Sequence, residues 1–292
     1  MSVGSTLKIT SAMKLVASAK LRKAQQAIGN MLPYERQLHR ILTGLLAAVP
    51  VPDDSPVPEP VEGPSLGPRP IRRVSIVAFA SNSSLCGAFN SNVVKLVLSA
   101  IDEYRAAGLR DEDIVVYSVG RKMAEAMKKA GFPSPSDYSK MSDSPSYDAA
   151  SSLAQKLIDE FSAGRTDKVE LIFNHFRSTA SQVPTRETYL PFSGGGVNPS
   201  ASIKSEPYPD DIIIEPSPKE VLESLLPKVQ RLKIYTTLLD SAAAEHAART
   251  VAMQTATDNG NDLLEELTLE YNKGRQQKIT SEILDIVGGT LQ

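Results

Sequence analysis

The 292-residue sequence has no tryptophan and a single cysteine, Cys86. One thiol excludes an internal disulfide and favours a reducing compartment. Aromatic residues make up 5% of the chain although apolar content is ordinary at 41%. So few large rings suit a shape with much surface per residue better than one large globular core. No apolar run approaches the ~18 residues of a membrane span, and no signal-peptide core precedes a small-residue cleavage site. Neither direct membrane insertion nor secretion is therefore expected. With 32 basic and 34 acidic residues the net charge is −2, which gives no footprint for nucleic acid. The three histidines, His39, His175 and His246, form no metal-ligand spacing with each other or with Cys86, so no metal is expected.

Acid is missing from the front of the chain. Before Asp53 the basic residues are Lys8, Lys14, Lys20, Arg22, Lys23, Arg36 and Arg40, and Glu35 is the only carboxylate. A segment this positive expects an acidic partner surface. Within it, Leu7, Met13, Val16, Ala17, Leu21, Ala24, Ile28 and Leu32 recur on roughly one helical face. Pro33 should kink that helix without necessarily ending it, and Leu38, Ile41, Leu42 and Leu45 continue the pattern.

The last quarter of the chain contains no proline beyond Pro227. Leu222, Leu225, Val229, Leu232, Thr236 and Leu239 fall on a heptad, the mark of a coiled-coil seam. Ala242, Ala243, Ala244, Ala247 and Ala248 then replace large knobs by small ones, which lets a partner helix approach closely. Leu264, Leu267 and Tyr271 restore larger seam residues. A helix over 218–291 would be ~110 Å long. Alone it has nothing to cover its stripe, so a partner is required.

Between these rods, strand-type runs at 73–80, 113–119 and 169–175 alternate with helical patterns at 89–107, 121–130 and 147–161. Such alternation implies an open, mostly parallel, Rossmann-like α/β layer, with 185–191 and 211–215 as further strands near an edge. The expected organisation is an N-terminal shaft helix (1–49), a proline-rich linker or insertion (50–70), a central α/β domain (71–216) and a C-terminal shaft helix (217–292). Eight prolines between Pro50 and Pro70 leave that linker extended. The economical arrangement is an antiparallel coiled coil with the α/β domain inserted where the chain turns back. The longer back helix then overhangs the front one, and its end carries Ile283, Leu284, Ile286 and Val287 with no cover of its own.

Enzyme chemistry finds little footing. The turn 81–90 joins a strand to a helix, but its one glycine, Gly87, makes neither a dinucleotide fingerprint nor a P-loop. It reads as a plain turn whose serines and asparagines cap the helix. Cys86 requires a base to act as a nucleophile, and a buried small residue at a tight turn is the simpler reading. His246, at the small-residue seam, reads as packed and hydrogen-bonded. No catalytic or cofactor-binding residues emerge. Asp258-Asn259-Gly260-Asn261 reads as a weak point in a continuous rod.

Three long stretches are specific enough to carry a resemblance: residues 8–22 (KITSAMKLVASAKLR), 245–260 (EHAARTVAMQTATDNG) and 271–288 (YNKGRQQKITSEILDIVG). Together with Leu85-Cys86-Gly87, Asn90 and residues 181–185, they resemble the gamma subunit of bacterial F-type ATP synthases, in order and over nearly the whole chain. That resemblance implies a rotor shaft within a ring of alpha and beta subunits, with the foot on an epsilon subunit and a membrane ring of c subunits. It implies a peripheral position on the cytoplasmic face of the bacterial cell membrane, and catalytic sites on beta rather than on this chain. By motif, Met13, Lys14, Lys20 and Arg22 pass an acidic loop of beta. Arg275 and Gln276 form a polar catch with beta, and Ile283, Leu284, Ile286 and Val287 form the tip in an apolar bearing. Residues 1–6 are shorter, and 50–70 richer in proline, than the family leads one to expect. The competing readings are a coiled-coil adaptor unrelated to ATP synthesis and an α/β enzyme with helical arms.

Overall fold

The computed structural model describes residues 2–48, 71–191, 215 and 217–289. The proline-rich stretch 50–70, the glycine run 194–196 and residues 211–214 of the expected strand lie outside the described residues.

Helix α1 (Val3–Ala48) and helix α6 (Pro218–Gly289) pair along most of the shorter one. α1 runs through Pro33 without a break, as α6 does through Pro227. The pairing is antiparallel: Thr257 Oγ1 meets Thr10 Oγ1 at 2.9 Å, and Leu38 and Leu42 pack on Val229 and Leu232. Between these ends Leu21 packs on Ala243 and Ala247, which are fully buried. One expected seam residue is misplaced, since Val16 is 57% exposed. Ala17 beside it takes the seam, because an alanine lets the two backbones stay close where a valine would push them apart.

Gly260 lies where α1 ends. A Cβ there would stand 2.7 Å from Leu7 Cδ2, so the glycine makes room for that side chain. The expected weak point at 258–261 is thus a close approach within an unbroken helix. The described α1 begins about one turn further on, and among the described residues Leu264, Leu267 and Tyr271 meet no seam. They are 42%, 43% and 70% exposed.

The domain between the helices is a four-stranded sheet in the order β2-β1-β3-β4. Strands β1 (Val74–Phe79), β2 (Ile114–Val119) and β3 (Lys168–Ser178) are mutually parallel where they pair. Strand β4 (Ser181–Leu190) returns antiparallel from β3 as the edge. Helices α2 (Phe89–Ala106) and α3 (Arg121–Lys129) contribute to one apolar cluster, with Val93, Val97, Ile101, Met123 and Met127 on β1 and β2. The other cluster gathers Leu153, Leu157 and Phe161 of α5 (Tyr147–Ser162), Phe79, Phe173 and Tyr189 of the sheet, and Ile234 and Leu238 of α6. A short helix α4 (Ser139–Asp143) has no periodic signal in the sequence, being little more than one turn. Where β2 hands over to α3, Gly120 at φ +99° lies against β1, and a Cβ there would stand 2.1 Å from the Ala80 carbonyl oxygen.

α6 therefore serves two cores. Ala243 and Ala247 face α1, whereas Ala244 and Ala248 face Cys86 and Phe89 of the α/β domain. Small side chains on both faces bring helix and domain close at once. Replacing Ala247 by leucine should cost about 1–3 kcal/mol through overpacking at this triple contact. Thermal unfolding of the purified chain checks this; an unchanged melting temperature would show a looser seam than the burial indicates.

Candidate functional site

The turn after β1 buries its thiol. Cys86 is 1% exposed, and burial raises its thiol above the usual range, with Ser81 and Arg249 opposing. Its Sγ lies 3.2 Å from Asn90 Nδ2 and 3.7 Å from Ser81 Oγ, not against a histidine. The polar side chains of the turn do not cap α2, whose N-cap is Ala88 without a side-chain bond. Instead Asn90 reaches back: its Oδ1 accepts from the Ser81 amide at 3.0 Å, and its Nδ2 donates to Ser81 Oγ at 2.8 Å. The turn is braced as a rigid pad on Ala244 and Ala248. Arg249, buried in α6, donates to Ser83 Oγ at 2.9 Å and pairs with Glu245 one turn earlier. Among the described residues no group of three or more His, Cys, Asp and Glu is placed to hold a metal ion. No described helix is long and apolar enough to cross a membrane.

His246 is packed as expected, but its buried Nδ1 finds no hydrogen-bond partner. Desolvation, helped by Arg249 and Lys20, lowers its pKa to about 4. It stays neutral at physiological pH.

Two separate surfaces remain on the shaft. On α1, Met13 and Lys14 are half-buried while Lys20, Arg22 and Lys23 are exposed. Lys20 is not isolated from acid, because it counters the burial that raises the Glu245 carboxyl. Ile9, Leu15 and Val16 are 49%, 70% and 57% exposed on the same stretch. The second surface is the overhang. Beyond residue 264, α6 runs ~38 Å to Gly289 without a described partner helix. Arg275 and Gln276 are exposed there, and Ile283, Leu284 and Ile286 are 55%, 64% and 67% exposed. The side chain of Val287 lies outside the described residues. The register set by Thr10 with Thr257 puts Met13 level with α6 positions around 254 and Arg22 level with those around 245, so the front-helix residues and the 275–276 pair stand ~30–45 Å apart along the rod and form no single site.

A junction that the sequence did not disclose lies partway along the pairing, short of the Leu38 and Leu42 contacts. A cavity of about 300 Å³ is bounded by α1, β3 and α6, with Ile28, Met31, Phe173, Phe176 and Leu239 among its walls. Asp240 Oδ2 lies 2.6 Å from His175 Nδ1, and Asp240 Oδ1 accepts from the Phe176 amide at 2.9 Å. Lys233 pairs with Glu187 of β4 at 2.8 Å. Glu35 of α1 lines the same cavity; burial raises its carboxyl above the usual range, against the attraction of Lys233. The only sequence signals were an acid interrupting the apolar run before Ala242 and the sole acid of the front segment. Neither names its partner.

The hydrogen bond to Asp240 raises the pKa of His175 above 6.5, with burial opposing. A raised folded value means that the stabilisation is complete below the unfolded pKa and is lost as pH rises through the folded one. Glu35, raised above 4.5, acts in the same direction at lower pH. From pH 6 to pH 9 the parent should therefore lose more thermal stability than His175→Gln. Parallel melting curves at the two pH values test this; equal losses would remove His175 as the titrating group.

The combination of a long antiparallel helix pair, an inserted α/β domain and an uncovered helix end defines a shaft-type protein. The ATP synthase family model matches residues 1–291, and the chain belongs to that family as a gamma chain. It is 54% identical over 290 residues to the ATP synthase gamma chain of Phocaeicola vulgatus, covering 99% of this chain and 96% of that one. It is 49% identical over 297 residues to that of Bacteroides thetaiotaomicron, covering 100% and 96%. The fold is similar to the central stalk of the Tetrahymena thermophila mitochondrial ATP synthase, with a TM-score of 0.55 at 19% identity over 85% of this chain and 99% of that one. A Euglena gracilis mitochondrial ATP synthase chain gives 0.52 at 18% identity, over 98% and 94%. A coiled-coil adaptor unrelated to ATP synthesis finds no support in these likenesses.

Proposed function

We propose that this gamma chain, the rotor of the central stalk, couples ion flow through a membrane ring to ATP synthesis on beta subunits and contributes no catalytic residue itself. The observation that carries this reading is the overhang: ~38 Å of helix with exposed isoleucine and leucine at its end, in a chain whose relatives are gamma chains. A surrounding ring of alpha and beta subunits supplies the missing cover. Arg275 and Gln276 are its polar contact with beta, and Ile283, Leu284, Ile286 and Val287 are the tip in the bearing. The opposite end, with the α/β domain, meets an epsilon subunit and the c ring at the cytoplasmic face of the bacterial membrane. Met13, Lys14, Lys20 and Arg22 pass an acidic segment of beta. The test is reconstitution: the purified chain alone should not hydrolyse ATP, while its addition to alpha and beta restores rapid turnover. Hydrolysis by the free chain at the rate of the assembly would sink this reading.

Replacing Ile283, Leu284 and Ile286 together by serine should leave melting of the free chain nearly unchanged, because these side chains are already exposed. Yield of the assembled complex on a sizing column should fall, since a buried aliphatic side chain contributes roughly 1.5–3 kcal/mol when fully covered. Unchanged yield would exclude the bearing.

Charge on α1 gives a separate test. Lys14, Arg22 and Lys23 replaced singly by glutamine should alter turnover little, because an exposed pair is worth about 0–1 kcal/mol. Reversing all three to glutamate should slow turnover much more, and added salt should relieve part of the loss by screening. Parental turnover by the triple reversal at low salt would make these cations an ordinary solvated face.

A further inference from the structure

The polar groups around the cavity between α1, β3 and α6 are engaged with one another across different elements. Asp240 of α6 binds both the ring of His175 and the amide of Phe176 on β3. Lys233 of α6 forms an ion pair with Glu187 on β4 at 2.8 Å, without hydrogen-bond geometry at either carboxylate oxygen. Lys233 and Asp240 are seven residues apart, so they lie on one face of α6, ~10 Å apart along its axis. That face also carries Ile234 and Leu238, which are buried in the sheet's cluster, and Gln230, whose carbonyl accepts from Tyr189 OH at 3.1 Å. Both carboxylate oxygens of Asp240 are taken up by the strand, which makes a joint rather than a receptor with groups free for a ligand.

The two kinds of contact do different mechanical work. Apolar burial is non-directional: it resists separation but weakly resists sliding or turning. Charge-assisted hydrogen bonds fix distance and angle. The carboxylate of Asp240 grips the strand at two points, on a side chain and on the backbone. Lys233 anchors the neighbouring strand, and Glu35 brings α1 to the same place.

We propose that Asp240 and Lys233 form the torsional joint of this rotor, fixing the angle of the α/β domain about the back helix and setting the stiffness with which torque crosses between them. Both are positioning residues, and the inference rests on the rotor reading above.

The joint is read directly in the free chain by hydrogen exchange. In Asp240→Ala the amide of Phe176 should exchange faster while those of β1 keep their protection; unchanged protection at Phe176 overturns the proposal. In the assembled complex, a bead attached through Lys129→Cys, an exposed position on α3, reports angular fluctuation of the domain during catalytic pauses. Asp240→Ala should roughly double the angular variance at an unchanged hydrolysis rate, because a two-point hydrogen-bonded grip is replaced by non-directional contact. Asp240→Asn, which keeps an acceptor for the Phe176 amide, should fall between the two. If Asp240→Ala fails to assemble, Asp240→Asn and Lys233→Met carry the same measurement. Variance equal to the parent's in rotating complexes overturns the joint and leaves the rotor reading intact. Failure of the parent chain to support rotation overturns the rotor reading, and the joint's role in torque with it.

Discussion

Everything in this molecule depends on one helix being short of cover. α6 spans 72 residues and α1 only 46, so the second helix can shield about two thirds of the first. The α/β domain covers a second face of α6 along the length that α1 pairs, which explains why the small residues fall on two faces rather than one. Ala243 and Ala247 admit Leu21, while Ala244 and Ala248 admit the turn at Cys86 and Phe89. A heptad seam of large residues would serve the first contact and spoil the second.

The long elements were legible because they are periodic over many turns, and the strands because each is a short apolar run between turn residues. What the periodicity conveyed less well was which residues of a rod touch which neighbour. Val16 and Ala17 both satisfy a loose helical face, and only the close approach of the alanine-rich α6 selects Ala17. Leu264, Leu267 and Tyr271 continue an apolar pattern, yet among the described residues they lie past the paired stretch, and an apolar pattern does not say what covers it. Of the candidate residues taken from motifs, Met13 and Lys14 are half-buried, and the others whose side chains are described are exposed on the rod. Their separation into two patches was hidden until the register of the pairing was fixed by Thr10 with Thr257 and Leu7 with Gly260.

The junction of Glu35, Lys233, Asp240, His175 and Glu187 was illegible for a different reason. Its members come from four elements and are separated by up to some two hundred positions in sequence. Local propensity says nothing about such pairs. Asn90 was read as a helix cap because serine and asparagine before a helix usually are. In the fold its amide binds Ser81 instead, stiffening the turn that leans on the shaft.

The uncovered end of α6 also bears on how the chain lives before it is assembled. Helices gain most of their stability from packing an apolar face, and a lone segment is marginal in water. Residues 265–284 are exposed almost throughout, with Ile279, Ile283 and Leu284 facing solvent. Local opening is cheapest where buried contacts are fewest. Until a partner encloses it, this segment is therefore the readiest point of attack for a protease and the stickiest surface for a chaperone. Assembly that covers this segment would remove both liabilities at once.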